Sequence, residues 1–289
     1  MTYPAGPPTP GGPPSGAPAV CVRHPDRPTG GLACTRCGRP SCPECLREAA
    51  VGFQCVDCVN EGRRTVRRGT TVAGAETGVR PFVVPALVVL NVAVFAVTAA
   101  QAGSIGSNFR SPLFAEWALA SDFVSAGEVW RLVTSGFLHI GPLHLAFNML
   151  ALWIIGRDME ILLGRGRFLA VYLVGMLGGA AAVMVLQPGQ LVAGASGAVF
   201  GLMGGLLVAL LRLRRPLNQV LGLLAVNLAL GFFISSISWQ AHVGGLLVGA
   251  AATAVLVYAP PGRRAPVQVG GLAALTVLVL AVIVSAALA

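Results

Sequence analysis

From residue 82 onward the chain is a succession of apolar runs, at 82–101, 142–163, 168–187, 194–211, 217–235, 239–258 and 268–288. Each is close to the ~20 residues that a helix needs to cross a bilayer, where no water is present to satisfy an open backbone. That restricts the chain to an all-α polytopic membrane protein. Charged residues make up only 11% of it, against about 25% in soluble domains. Asn218, Gln219 and Asn227 make the fifth run the most dilute.

Every basic residue is Arg, and the arginines lie where orientation is set. They precede the first run and follow the second (Arg157, Arg165, Arg167), the fourth (Arg212, Arg214, Arg215) and the sixth (Arg263, Arg264). The alternate connections "QPGQLVA" and "SSISWQ" carry none. By the positive-inside rule the N-terminus is cytoplasmic and the C-terminus outside, and this Arg-rich, Ala/Gly/Val-rich usage suggests a bacterial plasma membrane. Arginines at the ends of apolar runs serve topology, so no nucleic-acid partner is expected despite a net charge of +9. The long connection between the first two runs is moderately apolar, with Trp117 and Trp130 suited to the headgroup level, and reads either as a partly embedded interfacial element or as an ordinary exterior loop.

The N-terminal part has a different composition. Residues 1–20 are a Pro/Gly-rich tail with no signal-like apolar core, expected to be disordered. Residues 21–60 hold all seven cysteines as Cys21-x2-His24, Cys34-x2-Cys37, Cys42-x2-Cys45 and Cys55-x2-Cys58. Four pairs provide eight ligands, enough for two tetrahedral structural zinc ions with no open catalytic position. The role expected for this module is recruitment of a cytoplasmic protein partner, or regulation. An Arg-rich linker, 61–80, leads to a six-helix core over 82–258, and a loop with the seventh helix occupies 259–289.

Chemistry-bearing residues inside the membrane part are few. Ser196 opens the fourth run and His242 lies about one turn into the sixth. Both runs pass from outside to inside, which puts the two residues at the same shallow depth. Gly197, Gly201 and Gly205 on one run and Gly245 and Gly249 on the other form small-residue faces that let helices meet backbone to backbone. His242 can then take the Ser196 proton as a general base. His144 and Asn148 share one face of the second helix and with the Ser196 N–H can supply oxyanion donors. Each residue alone has a structural reading, as interhelical glue or a buried hydrogen-bonder; their coincidence in one layer favours chemistry.

These residues resemble the rhomboid intramembrane serine proteases. The likeness rests on "GASG" with Ser196, "AHVGGLLVG" with His242, "HLAFN" as His-x-x-x-Asn, "WR" at Trp130 and Arg131, and "GRDME" ending in Glu160. It implies a Ser196–His242 dyad that cuts transmembrane substrates near their outer ends within the lipid bilayer, without a catalytic cofactor. It assigns His144 and Asn148 to the oxyanion site and Trp130 and Arg131 to support of the first loop. Gly194 and Gly197 allow close approach around the nucleophile, His139 lines the water-accessible cavity, and Phe200 stands where some members stack a tyrosine on the base. Glu160 is expected to cap or pair, with Arg157, at the cytoplasmic end of the second helix. The cysteine order resembles B-box and related cross-brace fingers, which would join Cys21/His24 to Cys42/Cys45 and Cys34/Cys37 to Cys55/Cys58; sequential pairing is the alternative. A non-catalytic rhomboid-like adaptor that binds transmembrane segments is the rival function, and it gives no reason to retain dyad and donors together. A transporter fits less well, because the polar groups cluster near one face.

Overall fold

The computed structural model describes residues 19–65, 69–78, 80–233 and 238–289, with side chains for all but 230–233. Nearly all of the Pro/Gly tail expected over 1–20 lies outside them. The chain divides into two compact units, Met1–Arg68 and Gly69–Ala289.

The first unit is built on cysteine knuckles. Strand β1 (Leu46–Glu48) pairs antiparallel with β2 (Phe53–Cys55) in the register Leu46↔Cys55, and α1 (Val56–Thr65) follows. The buried side chains are mostly cysteines, joined by Thr29 and Ser41, with Leu46 the single large aliphatic residue among them. A unit with so little apolar core needs another source of folding free energy, and metal ligation is the one its composition offers.

The second unit is an all-α bundle. Its elements are α2 (Val83–Ala102), the short α3 (Pro112–Trp117), α4 (Ser121–Ser125) and α5 (Arg131–Thr134), then α6 (Gly141–Leu163), α7 (Arg165–Leu186), α8 (Ser196–Arg212), α9 (Asn218–Phe233), α10 (Trp239–Val257) and α11 (Arg264–Leu288). All seven apolar runs are therefore helical over most of their described residues; 234 and 235, the end of the fifth, lie outside the described residues. Among the described residues four helical segments are long and apolar enough to span a membrane, and five if Arg131–Phe137 and Gly141–Leu163, bent by 95°, form one span. At 17 residues α8 is shorter, about 25 Å at 1.5 Å per residue, because residues 190–195 run without helix before Ser196. The chain thus delivers the serine below the end of the neighbouring helices.

Helices α7, α8 and α10 pack most closely. A Cβ built on Gly245 would collide with the Gly197 carbonyl, and one on Gly249 with the Gly201 carbonyl. From the other side Gly175 of α7 meets Gly201, so a Cβ there would sit 3.2 Å from the Gly201 Cα. Gly175 and Gly179 of α7 make the seam expected between two helices a three-helix junction. Below it Leu152, Met159, Phe168, Tyr172, Leu202, Met203 and Leu256 are fully buried.

The connection after α2 folds into short helices. Phe114, Ala118 and Leu138 bury against Val94 of α2, while Trp130 stays half exposed. Arg131 holds the loop from within: it is buried, and its guanidinium bonds the Glu128 carboxylate at 2.6 Å and the Ala115 and Ala118 carbonyls at 2.6 and 2.7 Å. A planar fork of five donors suits several acceptors at once.

At the other end Glu160 accepts from the backbone N–H groups of Phe82, Val83 and Val84 at 2.7, 2.9 and 2.9 Å. These are the orphan donors of the first turn of α2, so one carboxylate caps a helix from a neighbour. Arg157 instead lies over the Trp153 ring. The expected 61–80 linker is not one uniform segment. Residues 61–65 complete α1, whereas 69–78 form a bridged turn, Thr70↔Glu76, with Ala73 fully buried and the Thr71 hydroxyl donating to the Leu162 carbonyl at 2.6 Å. Small side chains and a threonine let this polar stretch pack against the bundle, which its composition does not reveal.

Candidate active site and metal centres

Ser196 is the first residue of α8 and is half buried. The chain reaches it through Gly194, whose φ of +136° disfavours any side chain and whose would-be Cβ lies 2.8 Å from His144 Cε1, 3.0 Å from His144 Nε2 and 3.7 Å from Ser196 Oγ. Gly194 is therefore the spacer across which His144 and the serine face each other. The approach is fixed by backbone bonds: Leu119 and Val192 exchange N–H···O bonds at 2.9 and 2.8 Å, and Gly194 N–H donates to the Ser135 carbonyl at 2.9 Å.

His242 lies in the first turn of α10 and is buried. Its ring stacks on Phe200, centroids 4.0 Å apart and planes 10° from parallel. Phe200 is four residues beyond Ser196 on the same face of α8, so the imidazole lies over the turn that carries the serine. Among the described residues Ser196 and His242 form no direct hydrogen bond, and His242 Nδ1 has no partner. Catalytic contacts are often long before substrate binds.

The oxyanion candidates follow from α6. Ile140 N–H donates to His144 Nδ1 at 3.2 Å, which leaves the proton of a neutral ring on Nε2, the nitrogen facing Gly194 and Ser196. Asn148 is buried one turn on and gives one of its two amide protons to the His144 carbonyl at 3.0 Å. His139 is fully buried, both ring nitrogens lack partners among the described residues, and its ring meets that of His144 edge-on with centroids 5.2 Å apart. The cavity beside Ser196 has about 30 Å³ of room for water. It is walled by Leu119, Leu132, Met176, Ala180, Val183 and Val192, with Gly136, Gly179 and Gly197 leaving space.

Sequence reasoning missed two supports of this site. Asn108 is fully buried; its amide nitrogen donates to the His139 carbonyl at 2.6 Å and its oxygen accepts the Gly141 N–H at 2.9 Å. It fixes the turn from which α6, and so His144, departs. Ser238 caps α10 by accepting the Ala241 N–H and donates to Gln187 Oε1 at 2.6 Å, tying the start of the His242 helix to the end of α7. Asn108 sits in "GSNFR" and Gln187 in "LQPGQ", polar loops with no periodicity or motif to single out either residue.

In the first unit the cysteines and His24 gather into two groups, Cys21/His24/Cys42/Cys45 and Cys34/Cys37/Cys55/Cys58, whose ligand atoms lie within 4.8 Å of one another. The pairing is crossed. Cys37 and Cys55 sulfurs are 3.8 Å apart, the edge of a tetrahedron with Zn–S bonds of about 2.3 Å. His24 Nδ1 is 3.4 Å from both Cys42 and Cys45 sulfurs. The Cys42 N–H, against burial and with help from the Arg23 and His24 amides, holds the Cys21 thiol down to about 6, while burial foremost pushes Cys45 up to about 11. Both groups fit a tetrahedral thiophilic metal such as zinc, which would crosslink the unit and supply no catalytic step.

Comparison with known proteins finds rhomboid relatives. Residues 126–259 match the Rhomboid domain family. Over 156 residues the chain is 42% identical to rhomboid protease GluP of Bacillus subtilis (strain 168), covering 52% of this chain and 31% of that protein. It is 37% identical over 132 residues to the putative rhomboid protease YdcA of the same organism, covering 44% and 66%. It is 32% identical over 212 residues to RHOMBOID-like protein 4 of Arabidopsis thaliana, covering 62% and 54%. The matches thus span about a third to two thirds of the length of these curated relatives. These matches are to rhomboid proteins, and together with the apolar helices they support an integral membrane protein.

Proposed function

We propose that this chain is a rhomboid-type intramembrane serine endopeptidase using a Ser196–His242 dyad on transmembrane protein substrates. The observation that carries the reading is the stack of His242 on Phe200, one turn beyond Ser196. It supports the reading because an imidazole lies over the turn that carries a half-buried serine, opposite the Nε2 side of His144 and beside a cavity that admits water.

In the proposed reaction Ser196 Oγ attacks the scissile carbonyl as His242 takes its proton. The oxyanion that forms receives hydrogen bonds from His144 Nε2–H, the second Asn148 amide proton and the Ser196 N–H at the start of α8. His242 returns the proton to the leaving amine as the C–N bond breaks. Water deprotonated by His242 then hydrolyses the acyl-enzyme and restores Ser196. The cavity has room only for a small side chain on the acyl side of the cut. Arg131, Glu128 and Asn108 act by positioning.

The arginine pattern supports a cytoplasmic N-terminus and an external C-terminus in a bacterial plasma membrane, with the site near the outer surface. The zinc module then faces the cytoplasm, where it would recruit a protein partner.

The test is cleavage of a single-span substrate by the full chain in liposomes. Ser196→Ala and His242→Ala are each expected to lower the rate by roughly a thousandfold or more, with melting temperature retained. Cleavage that persists in Ser196→Ala overturns the mechanism.

A further inference from the structure

Helix α11 lies beyond the matched Rhomboid domain, which ends at residue 259. Only a narrow stripe of it packs. Gln268, Val279 and Ile283 are buried, with Leu272 and Leu275 partly covered between them. These positions recur at three- or four-residue intervals and so lie on one face, while Val277 and Leu278 are exposed.

The two ends of the stripe do different things. Gln268 is a fixed anchor: its amide nitrogen donates to the Ala73 and Leu256 carbonyls at 3.0 and 2.8 Å, and its oxygen accepts from Arg167 Nε at 2.8 Å. Every acceptor is on another element, so the amide sets both the rotation and the height of α11. Val279, three turns on and about 16 Å along the axis, and Ile283 enter an apolar cluster with Leu119, Val124, Leu132, Ala180, Ala181, Val183 and Met184. Leu119, Leu132, Ala180 and Val183 are also walls of the cavity beside Ser196. The side chains that face the cavity thus share an apolar cluster with Val279 and Ile283, and a packed interior transmits a volume change to its neighbours.

We propose that α11 is a specificity element: Val279 and Ile283 buttress the wall formed by Leu119, Leu132, Ala180 and Val183, and so restrict the residue on the acyl side of the cut to a small side chain. This rests on the protease reading above. Truncating the buttress gives the wall room to retreat, which admits a larger side chain, while Ser196, His242 and their donors keep their places. Both are positioning residues, without contact to the reacting atoms.

The experiment compares full chains in liposomes on two single-span substrates that differ only in Ala or Leu on the acyl side of the cut, verified by mass spectrometry of the products. Ser196 labelling by a fluorophosphonate probe is measured in parallel. In Val279→Ala/Ile283→Ala the Leu-to-Ala ratio of kcat/KM should rise about tenfold, the scale of a methylene-sized change in an apolar pocket. Labelling should stay within twofold of wild type. Ile283→Val should give a smaller rise, and the lipid-facing pair Val277→Ala/Leu278→Ala none. An unchanged ratio overturns the inference. So does an equal fall in labelling and in both cleavage rates, which would make the helix structural alone. A wild type that neither labels nor cleaves overturns the protease reading, and this inference with it.

Discussion

At Phe200 the contribution of shape can be separated from that of apolar volume. A flat ring parallel to His242 at 4.0 Å fixes the tilt of the imidazole, and a branched aliphatic side chain of similar size does not. Phe200→Leu is expected to slow fluorophosphonate labelling of Ser196 about tenfold, whereas Phe200→Tyr keeps it; aromatic pairs contribute on the order of 1 kcal/mol beyond area. Equal rates for Leu and Phe would remove the ring from the mechanism. Gly194, unlike Phe200, has no substitute. Alanine there meets a φ of +136° and a His144 ring atom at 2.8 Å, so Gly194→Ala should abolish cleavage and, through backbone strain, cost about 1–3 kcal/mol of stability, read as a lowered melting temperature.

Among the elements, α8 and α10 have the least freedom. Their glycines leave no space between backbones, so Gly249→Val forces a side chain into the Gly201 carbonyl. The helices must then separate, and the variant should fail to yield folded protein in detergent while Val277→Ala on the lipid face behaves as wild type. The start of α10 depends on the Gln187–Ser238 hydrogen bond. If the proposed dyad holds, Gln187→Leu should lower kcat more than it raises KM, since it releases the helix that carries His242 and leaves the cavity beside Ser196 lined as before. An effect confined to KM would refute that role.

For the whole molecule the crossed ligand pairing makes a prediction that a count of bound metal can check. Full-length protein should carry two zinc ions. Cys21→Ser/Cys45→Ser damages one group and should leave one ion, while Cys21→Ser/Cys34→Ser breaks both and should leave none. Sequential pairing reverses the two results. A chelator strong enough to strip both ions should unfold the first unit, because its buried residues are chiefly the candidate ligands and metal ligation would then supply most of its folding free energy.

What the sequence by itself determined is what periodicity and spacing record. Seven apolar runs made an all-α membrane bundle, four x2-spaced ligand pairs made two metal groups, and glycines at intervals of four marked the face on which α8 and α10 meet. Ser196, His242, His144 and Asn148 stood out because a polar group in an apolar run has few explanations. The tertiary structure alone decided the rest. Glu160 turned out to cap α2 rather than pair with Arg157, since its acceptors are satisfied by backbone N–H groups 76–78 positions away. Asn108 and Gln187 gained their roles from hydrogen bonds to chain 31–33 and 51 residues distant. The turn at 69–78 reads as linker because its few buried side chains are alanines. The crossed ligand pairing and the buttress of α11 behind the cavity likewise depend on contacts between segments far apart in the chain. Local patterns fix what each segment can become, but a hydrogen bond or a packed wall between distant segments has no local signature.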